Sequence, residues 1–389
     1  MKVLYVLFGK DYFGGTTYST FTLAQNLVAR GHEVHAYVRP TPAGTLKRDL
    51  EACSVVVHDG NAPTLVHPKD EKRVVHKVGQ FVDSELRRFH SYPKSEREIE
   101  RIVRECDIDL IVLSGGPIMS GIRAAQRTGK PFVWHIREFM QEDHGYEYFH
   151  WVHPYEHMRD ARCLICVSKA VEYKMRRVCP GVRIEHVYNG IDQQVFHCEG
   201  RVERAAGDPV RIMTSSGVRH SKGTFLMLDA LAQMPRDVPY VFDIFGGAGA
   251  GVGESAADLQ AYIEHLGLAD CVAYHGPVSN IADEYRRHDI QIVASRQEAF
   301  GRVTAESMFC GCAVVGSNSG GTPELIEDGR GYLFEPNDAA SLARAIAKAA
   351  SDDAARSACV TRALAYAREN FSVNAYVDKI EAIYRSAVA

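Results

Sequence analysis

Short, uninterrupted apolar runs, often β-branched and separated by helix-period stretches, recur along this chain and leave little choice of fold. In the first half they lie at residues 3–8, 33–38, 110–113, 132–136 and 164–167. Strands of this kind are apolar on both faces, which calls for a parallel sheet covered by helices on either side. Between the first two runs, Gly14 and Gly15 mark a turn, residues 20–30 have the pattern of a helix, and Gly31 ends it.

The pattern starts again after Asn189-Gly190-Ile191-Asp192. A polar stretch at 197–209, with Gly200, Gly207 and Pro209, is followed by strand patterns at 212–215, 240–245, 272–274, 290–293 and 313–315. Helix patterns follow at 339–350 and 353–369, and a last amphipathic one at 372–387. The reading is α/β, with two Rossmann-like doubly wound domains. Their expected bounds are 1–190 and 191–370, with residues 371–389 as a terminal helix packing back toward the N-terminal domain. Doubly wound sheets bind ligands at the carboxyl ends of their strands, so a cleft between the domains is the expected site.

Composition narrows the function classes. The formal net charge is −4, which gives no basic footprint for nucleic acid. No apolar run approaches the ~18 residues of a membrane span, and the first one is too short for a secretory signal; a cytoplasmic protein is expected, with the inner face of the membrane as the alternative. Cys163 and Cys166 have metal-like spacing but lie within an apolar run with no second pair to complete a site, and Cys310 and Cys312 read the same way, as small buried side chains.

Four segments carry chemistry, each directly after a strand of the second half. Residues 295–306 place Glu298, Phe300 and Gly301 ahead of a helix pattern at 303–309 that contains Glu306. A helix N-terminus attracts phosphate, and carboxylates accept hydrogen bonds from sugar hydroxyls. Asn318-Ser-Gly320-Gly321-Thr-Pro323-Glu324 offers glycines that permit close backbone approach. Residues 216–223 carry Gly217, Arg219 and Lys222, cations suited to a diphosphate. Gly246-Gly247-Ala-Gly249-Ala-Gly251 is the fourth. Their convergence describes a site for a nucleoside diphosphate bearing a polyol.

These segments resemble the retaining GT-B glycosyltransferases of family four. Glu298 to Glu306 is similar to the family's E-x7-E signature, residues 318–325 to its glycine-glycine-x-proline-glutamate segment, 216–223 to its lysine-glycine loop, 189–192 to its interdomain connection, and Gly14-Gly15 to its first double glycine. The resemblance implies that the 191–370 domain binds the nucleotide sugar and the 1–190 domain the acceptor. It gives Lys222 the donor diphosphate, Glu306 the ribose, and Glu298 the transferred sugar with help from the Gly320 and Gly321 backbone. Gly15 would approach the phosphates, and His135 would face the donor sugar. The family's usual arginine falls at Gly217 here, which leaves Arg219 as the nearest replacement. Arg137 and Glu138 are read as pairing with each other, with contact to an acceptor as the alternative.

The implied reaction passes through an oxocarbenium-like state, with electrostatic stabilisation of the departing phosphate as the main demand. The expected donor is a UDP- or GDP-sugar and the expected acceptor a saccharide or lipid-linked molecule. No cofactor and no metal are expected: Asp107-Ile-Asp109 has a manganese-like spacing but precedes a strand, at the wrong edge of the sheet. Residues 69–104 hold ten Lys or Arg and seven Asp or Glu, interleaved with Phe81, Leu86, Phe89 and Tyr92. They read as a solvated helix face, with peripheral contact to an anionic membrane as the sharper alternative. A GT-B sugar-nucleotide epimerase and a non-catalytic sugar-nucleotide-binding protein are the competing functions.

Overall fold

A computed structural model describes residues 1–7, 15–41, 44–69, 74–205, 207–235, 237–249 and 251–389, with the side chains of 74–77 and His144 excepted. The chain forms two compact units. One comprises Met1–Gly190 together with Val373–Ala389, and the other Ile191–Ser372.

The first unit contains strands β1 (Lys2–Val6), β2 (Glu33–Val38), β3 (Val56–Asp59), β4 (Val66–Pro68), β5 (Leu110–Ser114), β6 (Phe132–Ile136), β7 (Tyr146–Tyr148), β8 (Cys163–Cys166) and β9 (Ile184–His186). Seven of them form one sheet in the order β3-β2-β1-β5-β6-β8-β9, parallel at every pairing. The middle strands β5, β6 and β8 are buried at every residue, which is why their sequences are continuous apolar runs. The small antiparallel pair β4–β7 has no counterpart in the sequence reading, since strands of three residues carry too little pattern.

The helix Gly15–Ala29 begins five residues before its sequence signal. Thr16, Thr17, Ser19 and Thr20 are poor helix formers by propensity. Here tertiary partners compensate: the Thr20 hydroxyl lies 2.7 Å from Ser114 Oγ as well as 2.9 Å from the Thr16 carbonyl, and Thr16 Oγ1 donates to Glu138 at 2.8 Å. Gly14 and Phe8 lie outside the described residues. Helix Val74–Leu86 runs through a π-turn at Arg87–Ser91 into helix Tyr92–Glu105. Pro93 explains the turn, because it has no N–H to continue the regular ladder.

The second unit holds β10 (Val210–Thr214), β11 (Tyr240–Phe245), β12 (Val272–Gly276), β13 (Ile290–Val293), β14 (Ala313–Ser317) and β15 (Tyr332–Phe334). They form one parallel sheet in the order β12-β11-β10-β13-β14-β15. The core of this unit gathers Ile212, Phe242, Ile244, Ile290, Ile292 and Val315 from the strands with Met227, Leu228, Leu342 and Ile346 from the covering helices.

Each strand order reverses once, between β1 and β5 in the first unit and between β10 and β13 in the second. There the chain leaves neighbouring strands in opposite directions and opens a crevice at their carboxyl ends.

Candidate functional site

The switch point of the second unit is flanked by the segments after β10 and β13, which carry Lys222 and Glu298. The two side chains meet: Lys222 Nζ lies 2.5 Å from Glu298 Oε1. Ser295 Oγ donates to the same carboxylate oxygen at 2.6 Å. Lys222 keeps 32% of its side chain exposed and Glu298 15%, so the pair lies at the surface of the crevice rather than in the core. Ser295 was not singled out by the sequence, although its place three residues ahead of Glu298 is a usual spacing for a local side-chain contact.

Four loops build the floor by interlocking backbone. Val218 N donates to Gly247 O at 3.1 Å and Gly249 N to Val218 O at 3.0 Å, joining the loops after β10 and β11. Arg296 N donates to Ser221 O at 3.1 Å and Gly321 N to Glu298 O at 2.7 Å, joining the loops after β10, β13 and β14. The glycines follow from this crowding. Gly320 has φ +59°, and a Cβ there would fall 2.2 Å from Glu298 O; one at Gly217 would fall 2.3 Å from Gly247 O. The close approach that these glycines permit is therefore, first, between loops: Gly320 and Gly321 hold the backbone of Glu298 and Ala299 in place.

Other sequence candidates take different places. Gly301, at φ +85°, opens helix Arg302–Phe309. The Phe300 ring is 3% exposed and packs edge-on against Phe371 at 5.5 Å, so this side chain belongs to the core and only its backbone can serve a ligand. Glu306 pairs with Arg302 Nη2 at 2.8 Å, one turn earlier, rather than joining Lys222 and Glu298 in their ion pair. Burial, with the charge of Glu306, raises the Tyr285 hydroxyl well above its ordinary pKa; this neutral phenol lies 2.8 Å from Ser215 Oγ at the end of β10. Arg219 is exposed, and its backbone N–H donates to Thr224 Oγ1 at 3.1 Å. The carboxylate of Glu254, which the sequence did not flag, accepts from the amides of His220 (2.7 Å) and Gly251 (3.3 Å).

In the first unit, Gly15 is exposed as the first residue of its helix. His135 needs correction as a ligand-facing residue. It sits inside β6, 2% exposed, with Nε2 2.8 Å from the Tyr384 hydroxyl and Nδ1 accepting from Arg137 Nη2 at 3.3 Å. Burial, then the nearby Arg137 charge, lowers its pKa well below the ordinary value and keeps it neutral. Arg137 and Glu138 do not pair with each other, contrary to expectation. Arg137 donates to Asn189 Oδ1 (2.7 Å) and the Tyr376 hydroxyl (3.1 Å). Glu138 accepts from Thr16 Oγ1 (2.8 Å) and the Gly116 amide (3.0 Å), at the β1–β5 switch point.

The remaining sequence signals lie outside the Lys222–Glu298 pair. Asp109 accepts from the Lys2 amide at 2.7 Å and Asp107 pairs with Lys130 at 3.2 Å, both at the amino edge of the sheet. Cys163, Cys166, Cys310 and Cys312 are buried free thiols, and burial pushes Cys163 and Cys312 up to about 11. On the helix face at 78–89, Val78, Phe81, Val82, Leu86 and Phe89 are exposed, Phe89 to 71%, whereas Tyr92 is buried. That face is more apolar than a solvated one. Among the described residues no helix is long and apolar enough to cross a membrane.

Residues 13–195 match the family described as Glycosyltransferase Family 4, and residues 200–365 the family described as Glycosyl transferases group 1. The chain is 32% identical over 207 residues to the lipopolysaccharide core biosynthesis mannosyltransferase LpcC of Rhizobium leguminosarum bv. viciae, covering 51% of this chain and 59% of that protein. It is 30% identical over 220 residues to a D-inositol 3-phosphate glycosyltransferase of Corynebacterium jeikeium (strain K411), covering 54% and 51%. The chain thus spans between half and three-fifths of the length of these two relatives. In fold it is similar to Anabaena Alr3699/HepE, solved in complex with UDP, at a TM-score of 0.77 and 22% identity over 99% of this chain and 100% of that one. It is also similar to sucrose-phosphate synthase from Thermosynechococcus elongatus, at 0.77 and 18% over 99% and 98%. With both halves of its sequence matched and its two parallel-sheet units in place, the chain belongs to the group 1, family four glycosyltransferases and has their GT-B fold.

Proposed function

We propose that this protein transfers a sugar from a nucleoside-diphosphate sugar bound on its second unit to a saccharide or lipid-linked acceptor, with retention of anomeric configuration and without a metal. The observation that carries this reading is the Lys222–Glu298 contact at the β10–β13 switch point. An ammonium group positioned there can share its charge with a diphosphate, while the carboxylate beside it accepts hydrogen bonds from sugar hydroxyls. Glu306, one turn into helix Arg302–Phe309, takes the ribose.

In the reaction the bond from the anomeric carbon to the β-phosphate oxygen breaks, and a bond to the acceptor oxygen forms on the same face. The acceptor proton passes to the leaving phosphate. Lys222 and, from the exposed turn beside it, Arg219 offset the developing negative charge. The mannosyltransferase activity of the Rhizobium relative favours a hexose donor. The UDP complex of the Anabaena protein favours a uridine or similar nucleotide.

The test is turnover of UDP-, GDP- and ADP-sugars with saccharide and lipid-linked acceptors, with the product anomer assigned by NMR and EDTA included in parallel. Retention at an EDTA-insensitive rate is the expected result. Inversion, or activity lost to EDTA and restored by manganese, overturns the reading. Nucleotide released without any acceptor identifies an epimerase or hydrolase, and binding without turnover a sugar-nucleotide sensor.

The exposed stripe Val78, Phe81, Val82, Leu86 and Phe89, with Arg87 and Arg88 beside it in ion pairs with Asp83 and Glu85, favours a protein working at the cytoplasmic face of an anionic membrane, where a lipid-linked acceptor resides. Co-sedimentation with vesicles containing an anionic lipid, lost in Phe81→Ser/Phe89→Ser, is expected; equal recovery with neutral vesicles and in the variant rules it out.

A further inference from the structure

On the β2–β3 side of the first sheet, three metal-ligating side chains from different parts of the chain come together. His35 lies in β2, His58 in β3, and Cys106 caps the end of helix Tyr92–Glu105. Their ligating atoms all lie within 4.8 Å of one another. His35 Nδ1 and His58 Nε2 are 2.9 Å apart in rings that are parallel to within 8°. We propose that these three residues form a structural site for a zinc-like transition-metal ion.

The chemistry of the donors supports that ion class. Two imidazoles and one thiolate suit zinc, whereas oxygen-seeking magnesium and calcium prefer carboxylates and carbonyls. Tetrahedral zinc, at 2.0–2.1 Å from nitrogen and 2.3 Å from sulfur, sets its ligand atoms about 3.3–3.6 Å apart. The imidazoles would separate slightly and rotate, and the Cys106 side chain would close in. Cys106 and His58 are only partly buried, which gives an ion an entry path and leaves room for a water as fourth ligand.

A second observation concerns the tautomer. His35 Nε2 lies 2.9 Å from Glu33 Oε1. A carboxylate can only accept, so Nε2 carries the proton and Nδ1 keeps the lone pair that faces the cluster. Carboxylate-oriented histidines of this kind are usual around metal ions. Without metal, His58 Nε2 donates to that lone pair. On binding, the His58 proton moves to Nδ1, the thiol proton is released to solvent, and two nitrogens and one thiolate face the ion.

The ion would pin edge strand β3 and the end of helix Tyr92–Glu105 to β2. The inference does not depend on the transferase reading, because the cluster shares no residue with Lys222, Glu298 or their loops. The experiment uses the full chain stripped with EDTA, dialysed against zinc and analysed by elemental mass spectrometry. Wild type is expected to hold one zinc per chain and to gain thermal stability from it. In Cys106→Ser and His58→Gln the affinity should fall at least tenfold, with unchanged circular dichroism. Glu33→Gln should weaken binding about tenfold or more, the usual effect of losing an orienting carboxylate. Cobalt loaded in place of zinc should give a thiolate charge-transfer band that Cys106→Ser removes. Wild type without stoichiometric zinc after dialysis, or a cobalt band that survives in Cys106→Ser, overturns the proposal.

Discussion

Lys222 and Glu298 are 76 residues apart and still meet, and neither is explained by packing. A lysine with a third of its side chain exposed, held against a carboxylate that also accepts from Ser295, is oriented rather than buried. Replacing Lys222 by Ala should lower kcat/KM by about 10²–10³-fold, the usual loss for a preorganised donor to a developing anion. Circular dichroism and the melting midpoint should stay close to wild type; near-normal kcat/KM would refute the assignment. Asp289 is a contrasting residue with a structural role. Burial alone would raise its carboxyl pKa, but hydrogen bonds from the Arg211 side chain and backbone, with the Arg201 charge, outweigh burial and hold it below the ordinary value. A depressed carboxyl contributes stability that is fully present above its unfolded pKa of ~3.9 and is lost as pH falls through the lower folded value. Asp289→Asn should therefore destabilise the second unit at pH 7 by about 3 kcal/mol, the low end for a broken buried pair. The difference from wild type should shrink below about pH 4. Denaturant unfolding at pH 7 and pH 3 checks both, and an equal loss at the two values would reject the ion-pair account.

Whole elements were legible in the sequence where burial is complete and illegible where it is not. Strands Leu110–Ser114, Phe132–Ile136 and Ile290–Val293 fall where the apolar runs put them, because strands buried on both faces impose hydrophobicity at nearly every residue. The early start of helix Gly15–Ala29 was hidden, since its first turns are polar residues satisfied by tertiary partners that a sequence window cannot see. The Gly320-Gly321 pair was recognisable, but its reason was not. The carbonyls that exclude a Cβ belong to Glu298 and Ala299, one strand away. His135 lies in β6 and Arg137 just after it, and only the structure shows that Tyr384 and Tyr376 of helix Val373–Val388 cover them. That helix is grouped with the first unit despite its position in the chain. It contributes Val377, Ile380 and Tyr384, all fully buried, to the same core as β1, β2 and β5. Ile380→Ala should cost about 2–5 kcal/mol, the range for truncating a buried aliphatic side chain. Urea unfolding measures it, and a loss under 1 kcal/mol would mean that the helix packs loosely.

At the scale of the molecule, a single device occurs twice: a doubly wound sheet whose strand order reverses, leaving polar residues at the reversal. The parallel topology puts every β-to-α loop of the second unit at one edge, so residues 215–223, 246–249, 295–301 and 318–321 meet however far apart they lie in the chain. Their backbone hydrogen bonds form one continuous set, and a ligand held by any of these loops stiffens its neighbours. A nucleotide bound only by the folded protein at 100 times its Kd adds about 2.7 kcal/mol of stability. Hydrogen exchange locates that gain, because the amides of loops that open locally exchange more slowly when a ligand closes them. With saturating UDP or GDP, slowed exchange is expected in the four loops, while the amino-edge amides at the starts of β10 and β13 keep their rates. Lys222→Ala should abolish the protection at matched concentration, because the diphosphate loses its ammonium partner, whereas Asp107→Ala should leave it intact. Protection centred on the amino edge, or undiminished in Lys222→Ala, would move the nucleotide away from the switch point and with it the chemistry assigned to Glu298.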